Sequence, residues 1–358
     1  MTKKTMLAIL ATTIMFNAFA QDSTKVAIPP PATTFSGSVD FYYRYNFNDI
    51  QSFHNSNNYT SFTNSQNSFE LGMATIRADH SFGKVSATAD LGFGRRSQEF
   101  SYNDNAFLAN IKQMYLTYSP RSDLKFTMGK WATHFDCEVP DVYLDRNYSM
   151  SYVFSYGPFF HTGIKAEFTK GKSTFMLGVA NPTDYTTTVE RSKYIIAQFA
   201  SGTKDDKLKF YLNYQGGKSN DSLKVNAVNL TAIYAFCSKF NIVSNSSVKF
   251  ISMKTSDKWK ADNWWGSALY LNYDPKSWFG LTLRSEYFND DKNLNGIFPN
   301  TGSNNIFENT LSANFKINSL TIVPEFRFES SSQKIYSKKD GTGLKGTGGF
   351  LLAAYYKF

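Results

Sequence analysis

The chain has 358 residues, a formal net charge of +9 and an aromatic content of 17%, with 33 Phe and 22 Tyr. Its Lys and Arg residues are scattered among carboxylates, so the dense basic footprint of a nucleic-acid-binding protein is missing and nucleic acid is not expected as a partner. No run of eighteen or more apolar residues occurs, which excludes a bundle of transmembrane helices.

The N-terminus has the pattern of a secretory signal peptide. Lys3 and Lys4 precede an apolar run over 6–16, and Ala18-Phe19-Ala20 provides a small-x-small cleavage site. We therefore expect residues 1–20 to be removed, residues 21–35 to form a Pro-containing periplasmic leader, and residues 36–358 to form the folded domain.

From residue 39 onwards, apolar and polar residues alternate with the period of a β-strand. In the first strand Val39, Phe41 and Tyr43 share one face, while Asp40 and Arg44 share the other. The same alternation predicts fifteen further strands at about 67–82, 84–97, 106–119, 123–132, 158–170, 172–181, 192–201, 206–217, 223–236, 238–253, 262–274, 277–290, 305–317, 319–332 and 346–358. The second and fifth strands are less regular, and we expect a bulge there.

The links between these strands alternate between long polar segments and short turns. Long links are expected at 48–66, 98–105, 133–157, 182–191, 218–222, 254–261, 291–304 and 333–345. This alternation is typical of outer-membrane barrels, whereas a soluble β-sandwich would lack it. The sequence predicts an all-β fold: a transmembrane antiparallel up-and-down β-barrel of about 16 strands, with 14 or 18 left open, and with both termini in the periplasm. A barrel of this size encloses water.

Every second residue along each strand is predicted to face the lumen, and these residues form a charged wall. Charges on the lipid face would cost about 2–4 kcal/mol at the midplane, which explains why the two faces are so well sorted. The predicted pore-wall residues are Asp40, Arg44, Asp90, Arg96, Lys112, Lys165, Glu167, Arg284, Glu286, Glu325 and Arg327. Asn110, Lys207, Lys209 and Asn213 have the same parity.

The link 133–157 is distinguished by its four carboxylates. Its residues Asp136, Glu138, Asp141, Asp145 and Arg146 are candidates for a loop that folds into the lumen and narrows it. Carboxylates there would face basic wall residues, with Lys112, Arg44 and Arg96 as candidates, and the resulting field would filter solutes by size and charge. A solvated external loop remains the alternative.

Other chemistry is weakly supported. The spacing His134-x-Asp136-x-Glu138 could hold a divalent cation, but such spacing is common by chance, and we predict neither a metal nor a cofactor. No nucleophile motif surrounds the histidines, so no enzyme is predicted. Cys137 is expected just above one end of the barrel and Cys237 in a turn at the other, too far apart for a disulfide.

The chain ends in a strand whose apolar face includes Tyr356 and whose last residue is Phe358. A terminal aromatic residue is typical of the strand that closes an outer-membrane barrel. We expect Phe358 and Tyr356 to serve barrel closure and recognition by the barrel assembly machinery.

Several segments resemble the OmpL-like family of β-barrel porins, namely 36–47, 67–71, 89–94, 128–133, 147–152 and 158–163. The resemblance covers roughly the first half of the chain. Asp136-Cys137 stands where family members tend to have a glycine and an aromatic residue before the loop glutamate. The resemblance implies a channel and names no substrate.

These observations favour a porin in the cell outer membrane, forming a water-filled channel for passive diffusion of small hydrophilic solutes. Membrane lipids and lipopolysaccharide are expected around it, and a homo-oligomer is left open. The alternative is a non-channel barrel that acts as an accessory or partner-binding protein through its external loops.

Overall fold

The computed structural model describes residues 30–50 and 56–358. The predicted signal peptide and most of the predicted leader lie outside the described residues. Within them, no helix is long and apolar enough to cross a membrane.

Sixteen strands close into one antiparallel barrel. They are Ala32–Asn46 (β1), Ser68–Phe82 (β2), Val85–Phe93 (β3), Ile111–Arg121 (β4), Leu124–Ala132 (β5), Phe160–Lys170 (β6), Ser173–Ala180 (β7), Tyr194–Gly202 (β8), Leu208–Asn220 (β9), Leu223–Cys237 (β10), Phe240–Thr255 (β11), Lys258–Lys276 (β12), Phe279–Asn289 (β13), Asn305–Ile317 (β14), Leu320–Ser331 (β15) and Gly346–Lys357 (β18). A small hairpin of Tyr336–Ser337 (β16) and Gly343–Leu344 (β17) lies in the last link.

Each barrel strand pairs with its neighbours in sequence, and β1 pairs with β18 to close the sheet. This arrangement confirms the predicted up-and-down barrel and the count of sixteen. Both barrel ends of the chain lie on the side of the short turns, because Ala32 pairs with Ser81 beside the β2–β3 turn. We call this the turn side and the opposite rim the loop side.

The third predicted strand is too long. Gly94 has φ of +118°, outside the strand region, and the chain then forms helices α1 (Arg95–Phe100) and α2 (Ala106–Ala109). Arg96 therefore lies on α1 rather than on a wall strand, and Asn110 precedes β4. One further helix, α3 (Tyr152–Ser155), lies in the β5–β6 link and is capped by the Ser151 side chain.

The strict alternation of long and short links is wrong at two places. The β9–β10 and β11–β12 links are tight turns at 221–222 and 256–257, so the neighbouring strands run on beyond their predicted ends. Ser256 and Asp257 adopt φ of 47° and 64°, the positive values that a two-residue hairpin turn requires. As a result β10, β11 and β12 have 15, 16 and 19 residues, whereas β7 has 8.

The outward face of the barrel is apolar and aromatic. Phe41, Phe69 and Leu71 are 50%, 87% and 69% exposed, while the alternate residues Asp40 and Tyr42 are buried. An apolar outer band with a polar interior is the arrangement of a barrel in lipid. Lys207 lies in the turn before β9, not on the predicted inner face.

The closing seam places Phe358 and Tyr356 where the sequence predicts them. The backbone N–H and C=O of Phe358 bond those of Gly37 at 3.0 Å each, and Tyr356 pairs with Val39. A Cβ on Gly37 would lie 2.6 Å from the Phe358 ring, so the seam requires a glycine there.

The expected bulge in the second strand is present. The β1–β2 register shifts so that Gly72 and Met73 both lie opposite Asp40. The expected irregularity of the fifth strand is restricted to its pairing with β4, since β5 and β6 pair without a shift.

Candidate functional site

The β5–β6 link, residues 133–159, folds into the barrel, and we call it the lumen loop. Its residues bond inward-facing side chains around most of the wall, including Lys112 on β4, Asn229 on β10, Arg284 on β13 and Glu325 on β15. The loop therefore crosses the lumen instead of extending into solvent.

Glu138 is the most completely bonded carboxylate of the lumen loop. Its Oε1 accepts from Arg284 Nη1 at 2.8 Å and from the Tyr270 hydroxyl at 3.0 Å. Its Oε2 accepts from the backbone N–H and the hydroxyl of Ser151 at 2.8 Å each. Glu138 is only 4% exposed, so these four donors compensate its charge in place of solvent.

Asp141 meets the wall on the other side of the lumen. Lys112 Nζ lies 2.5 Å from Asp141 Oδ1 and 3.3 Å from Asp90 Oδ1, and Lys112 is only 1% exposed. The structure thus brings a loop carboxylate and a predicted basic wall residue together at this point.

Arg146 ties the lumen loop to the turn-side end of β12. Its guanidinium bonds both Asp274 oxygens, at 2.8 and 2.9 Å, and donates to Thr282 Oγ1 at 2.7 Å. A bidentate pair of this kind fixes orientation as well as position.

Wall carboxylates hold the backbone of the lumen loop. Glu286 accepts from the N–H groups of Tyr152 and Val153 at 2.7 Å each, and Glu325 accepts from Tyr148 N–H at 2.9 Å. Asp40 accepts from the Tyr148 hydroxyl and from Met73 N–H at the bulge. Buried amides outside regular structure need such acceptors. Sequence reasoning placed these acids on the wall without assigning them this task.

Arginines on the wall bond the loop carbonyls in the same way. Arg284 donates to Ser149 O at 2.7 Å, and Arg327 donates to Met150 O at 2.7 Å. The charges of the two arginines are balanced by Glu308 and Glu329, with Arg284 Nε lying 3.1 Å from Glu308 and Arg327 Nη2 lying 2.6 Å from Glu329.

Two predicted partners of the loop carboxylates have other roles. Arg44 donates to the carbonyls of Ser56 and Ser65 at 2.9 and 2.6 Å and so holds the first long link. Arg96 lies over the rings of Tyr148 and Phe62 and donates to Tyr148 O at 3.2 Å. In the described part of the chain neither arginine bonds a carboxylate of the lumen loop, since Arg44 donates to carbonyls of the first link and Arg96 to the Tyr148 carbonyl.

Among the described residues, no basic side chain forms an ion pair with Asp136 or Asp145. Burial, and then the nearby Glu138 charge, raises the pKa of Asp136 to about 7. Burial likewise raises the pKa of Asp145, which accepts from Val139 N–H at 3.2 Å. Burial lowers the pKa of His134 to about 4.

Cys137 lies inside the barrel beside Tyr270, so its predicted position above the rim is wrong. Cys137 is half-buried and Cys237, the last residue of β10, is exposed. Both are free thiols, as predicted.

The wall from β1 to β6 borders a cavity of about 470 Å³ on the turn side. Lys125 and Lys165 share Glu167 at 3.0 and 3.6 Å. Asp79 is bonded by Arg77 at 2.7 Å and keeps 38% of its side-chain surface.

Lys165 and Glu167 were predicted wall residues. Arg77, Asp79 and Lys125 were missed, although strand parity with Thr75, Thr88 and Thr127 could have identified them.

The loop side is capped by two apolar clusters that pack on the lumen loop. One gathers Tyr152, Trp264, Phe288, Ile297, Phe298, Ile306, Ile335 and Tyr336. The other gathers Phe62, Phe100, Met150, Phe154, Phe159 and Phe160. Long links thus cover the lumen loop from the rim.

Within residues 30–50 and 56–358, no group of three His, Cys, Asp or Glu side chains could hold a metal ion. The rings of His134 and His161 lie 5.0 Å apart, and no carboxylate completes the pair.

A family model described as "Putative beta-barrel porin-2, OmpL-like" matches residues 32–358. No curated protein sequence matches the chain. Among solved structures, the outer membrane channel DcaP of Acinetobacter baumannii has a TM-score of 0.60 at 12% identity, covering 95% of this chain and 100% of that chain. The anion-selective porin from Comamonas acidovorans has a TM-score of 0.61 at 12% identity, covering 92% and 100%. The trimer form of OmpT from Vibrio cholerae has a TM-score of 0.62 at 10% identity, covering 92% and 100%.

Proposed function

The chain belongs to the OmpL-like family of β-barrel porins, and on that premise we propose that solutes cross its lumen beside the β1–β6 wall, where the lumen loop leaves room. Membership places the protein in the cell outer membrane, as a channel for passive diffusion of small hydrophilic solutes rather than an enzyme. The proposal concerns the route, the narrow point and the surroundings of that channel.

The proposed route rests on a difference in side-chain exposure between two parts of the barrel wall. Wall residues near the middle of β13 to β15, such as Arg284 and Glu325, are at most 1% exposed because the lumen loop covers them. By contrast, Lys125 on β5 keeps 47% of its side-chain surface and lines the turn-side cavity. Water and solute therefore have room at the turn-side part of the β1–β6 wall, whereas Lys112, further along β4, is 1% exposed under the lumen loop.

The narrow point of this route is the contact of Asp141 with Lys112, where the lumen loop reaches β4. Glu138, facing Arg284, and Arg146, facing Asp274, hold the loop there from the opposite wall. Opposed charges across a constriction orient dipolar solutes, and since Glu138, Asp141 and Arg146 each pair with an opposite charge, the preference for cations or anions should be weak.

The orientation and partners follow from the same premise. We place the long links outside the cell and both termini in the periplasm, because outer-membrane barrels have short periplasmic turns. Lipid and lipopolysaccharide would contact the aromatic outer face, and the assembly machinery would read Phe358. A homo-oligomer is part of the proposal, since a related fold, OmpT of Vibrio cholerae, has a trimer form.

Single-channel recording in a planar bilayer tests the route. The wild-type barrel should conduct, and the neutral pair Lys112→Gln with Asp141→Asn should alter its conductance because the narrow point loses its ionic contact. A matched control is Lys172→Gln with Asp206→Asn, an exposed ion pair of 2.7 Å in the turns. Equal conductance of the wild-type protein and both variants would place the route elsewhere.

A second candidate, the non-channel accessory barrel, is favoured by the two apolar clusters on the loop side. They seal much of that rim with rings such as Trp264, Phe288 and Phe159. If the folded wild-type protein carries no current at any voltage, its external links rather than its lumen would hold the function.

A further inference from the structure

We propose that the turn-side cavity is a binding site for small zwitterionic solutes with the length of a short peptide, a refinement that rests on the proposed route. The cavity has about 470 Å³ and is lined by strands β1 to β6. The two sides of the cavity carry opposite net charges, and this arrangement determines which solute fits.

The β5–β6 side is positive. The ammonium groups of Lys125 and Lys165 both point to one oxygen, Glu167 Oε2, at 3.0 and 3.6 Å. Two ammonium groups against one carboxylate leave one surplus positive charge and several free N–H donors. A solute carboxylate is the group that these donors would take.

The β2–β4 side is negative. Arg77 lies between Asp79 and Asp90, at 2.7 and 3.8 Å, and Lys112 lies between Asp90 and Asp141. Two bases among three acids leave one surplus negative charge. His80 also lines the cavity, where its ring bonds the Thr33 hydroxyl at 2.8 Å.

Asp79 is the acid of this group that solutes can reach. Its Oδ1 accepts from Thr88 and from Arg77 Nη2, but its Oδ2 accepts only from Arg77 Nε, so a lone pair is left. Asp90 and Asp141 are 3% and 7% exposed and are bonded by Lys112. A solute ammonium would therefore bind at Asp79.

The separation of the two sides sets the length of the solute. Asp79 is on β2 and Lys125 on β5, three strand spacings or about 14 Å apart across the wall and four residues or about 13 Å apart along it, before the side chains reach inwards. A dipeptide extends about 7 Å, so it spans opposite charges better than a free amino acid does. Hydroxyl groups of Ser86 on β3 and of Tyr115 and Thr117 on β4 line the space between and can bond a peptide unit.

Calorimetric titration of the folded barrel in detergent with glycylglycine tests this site independently of conductance. Glycylglycine should bind, while N-acetylglycylglycine, which lacks the ammonium, and glycylglycinamide, which lacks the carboxylate, should each bind about five-fold more weakly, as for loss of one exposed ion pair. Equal binding of all three compounds, or binding of none, would overturn the proposal.

Variants of the charged lining residues test which side of the cavity binds the carboxylate and which binds the ammonium. Lys125→Gln should weaken glycylglycine binding about five-fold, and Glu167→Gln should strengthen it because the competing acid is gone. Asp79→Asn should weaken glycylglycine but not N-acetylglycylglycine, and the turn variant Lys172→Gln should bind like the wild-type protein. If Glu167→Gln weakens binding, the positive side is not the carboxylate site. A barrel that conducts but does not bind refutes this site and leaves the route intact, whereas a barrel that neither conducts nor binds refutes both.

Discussion

On the β13–β15 side of the lumen Arg284, Glu286 and Glu308 are at most 1% exposed, whereas on the β2–β6 side Arg77, Asp79 and Lys125 keep 29%, 38% and 47% of their side-chain surface. Both sides carry alternating bases and acids on inward-facing positions. The buried set bonds the lumen loop, and the exposed set pairs with itself and faces water. The same residue types therefore serve anchoring on one wall and solute contact on the other, according to whether the loop covers them.

Of the changes that test this comparison, substitution of Arg284 is expected to have the largest effect, a loss of stability of the folded barrel. Arg284→Met should leave Glu138 buried without its basic partner and Glu308 with the longer contact to Arg327 at 3.9 Å, and breaking a buried pair in this way typically costs about 3–5 kcal/mol. Lys125→Met on the exposed wall should cost less than about 1 kcal/mol. Urea unfolding followed by the heat-dependent gel mobility of the barrel measures both, and equal losses would mean that the two walls do not differ in this way.

The second effect concerns the seam that holds both walls in one closed sheet. Deletion of Phe358 removes two backbone hydrogen bonds to Gly37 and the aromatic end of β18. We expect less folded, heat-modifiable protein in outer membranes. Lys357→Ala, which keeps the terminal aromatic residue, is the control, and unchanged levels after the deletion would contradict the assignment of this strand end.

The third effect compares the charges of loop and wall in transport. Neutralising Asp136, Glu138, Asp141 and Asp145 to Asn or Gln removes the negative charge of the lumen loop while the basic wall residues remain, so selectivity should shift towards anions. Lys125→Glu on the open wall should shift it towards cations. Both shifts in reversal potential should shrink at 1 M salt, where the Debye length is about 3 Å instead of about 10 Å at 0.1 M. An unaltered reversal potential in the quadruple variant would place the loop charges away from the route.

The smallest expected effect is a pH dependence of how stably the lumen loop is held inside the barrel. The pKa of Asp136 is raised from 3.8 to about 7 in the folded barrel, so the folded state holds its proton more tightly than the unfolded chain. Its contribution to stability is then present below about pH 4 and is lost as the pH rises towards 7. Maleimide labelling of Cys137 should therefore be faster near neutrality, relative to Asp136→Asn at the same pH. An identical ratio at pH 5 and pH 7.5 would contradict it.

Cys237 is the internal reference for that labelling. It is exposed on β10, whereas Cys137 is half-buried inside the barrel. In detergent Cys237 should react first, and this order is the reverse of that expected from placing Cys137 above the rim.

Alternation along the chain was enough to find the strands, because each strand has lipid on one side and the lumen on the other. It correctly sorted Asp40, Lys112, Glu286 and Glu325 to the inside. It failed at Arg96, since a positively charged residue with the right parity gives no sign that Gly94 has already turned the chain out of the sheet. It also failed at 254–261, where polar residues predict a loop and the strands continue above the barrel.

The barrel, a count of about sixteen strands, the inner and outer faces and the seam at Phe358 were all predictable from the sequence, because they depend on local period and on terminal pairing. The course of the lumen loop was not predictable in this way, because it depends on contacts between residues that are distant in the chain. The partners of Glu138 and Asp141 lie 146 and 29 residues away in the chain, and the choice of Arg284 and Lys112 over Arg44 and Arg96 depends on where the closed wall brings each base. Burial then separates the anchoring wall from the open one, and burial is a property of the folded barrel rather than of any segment of it.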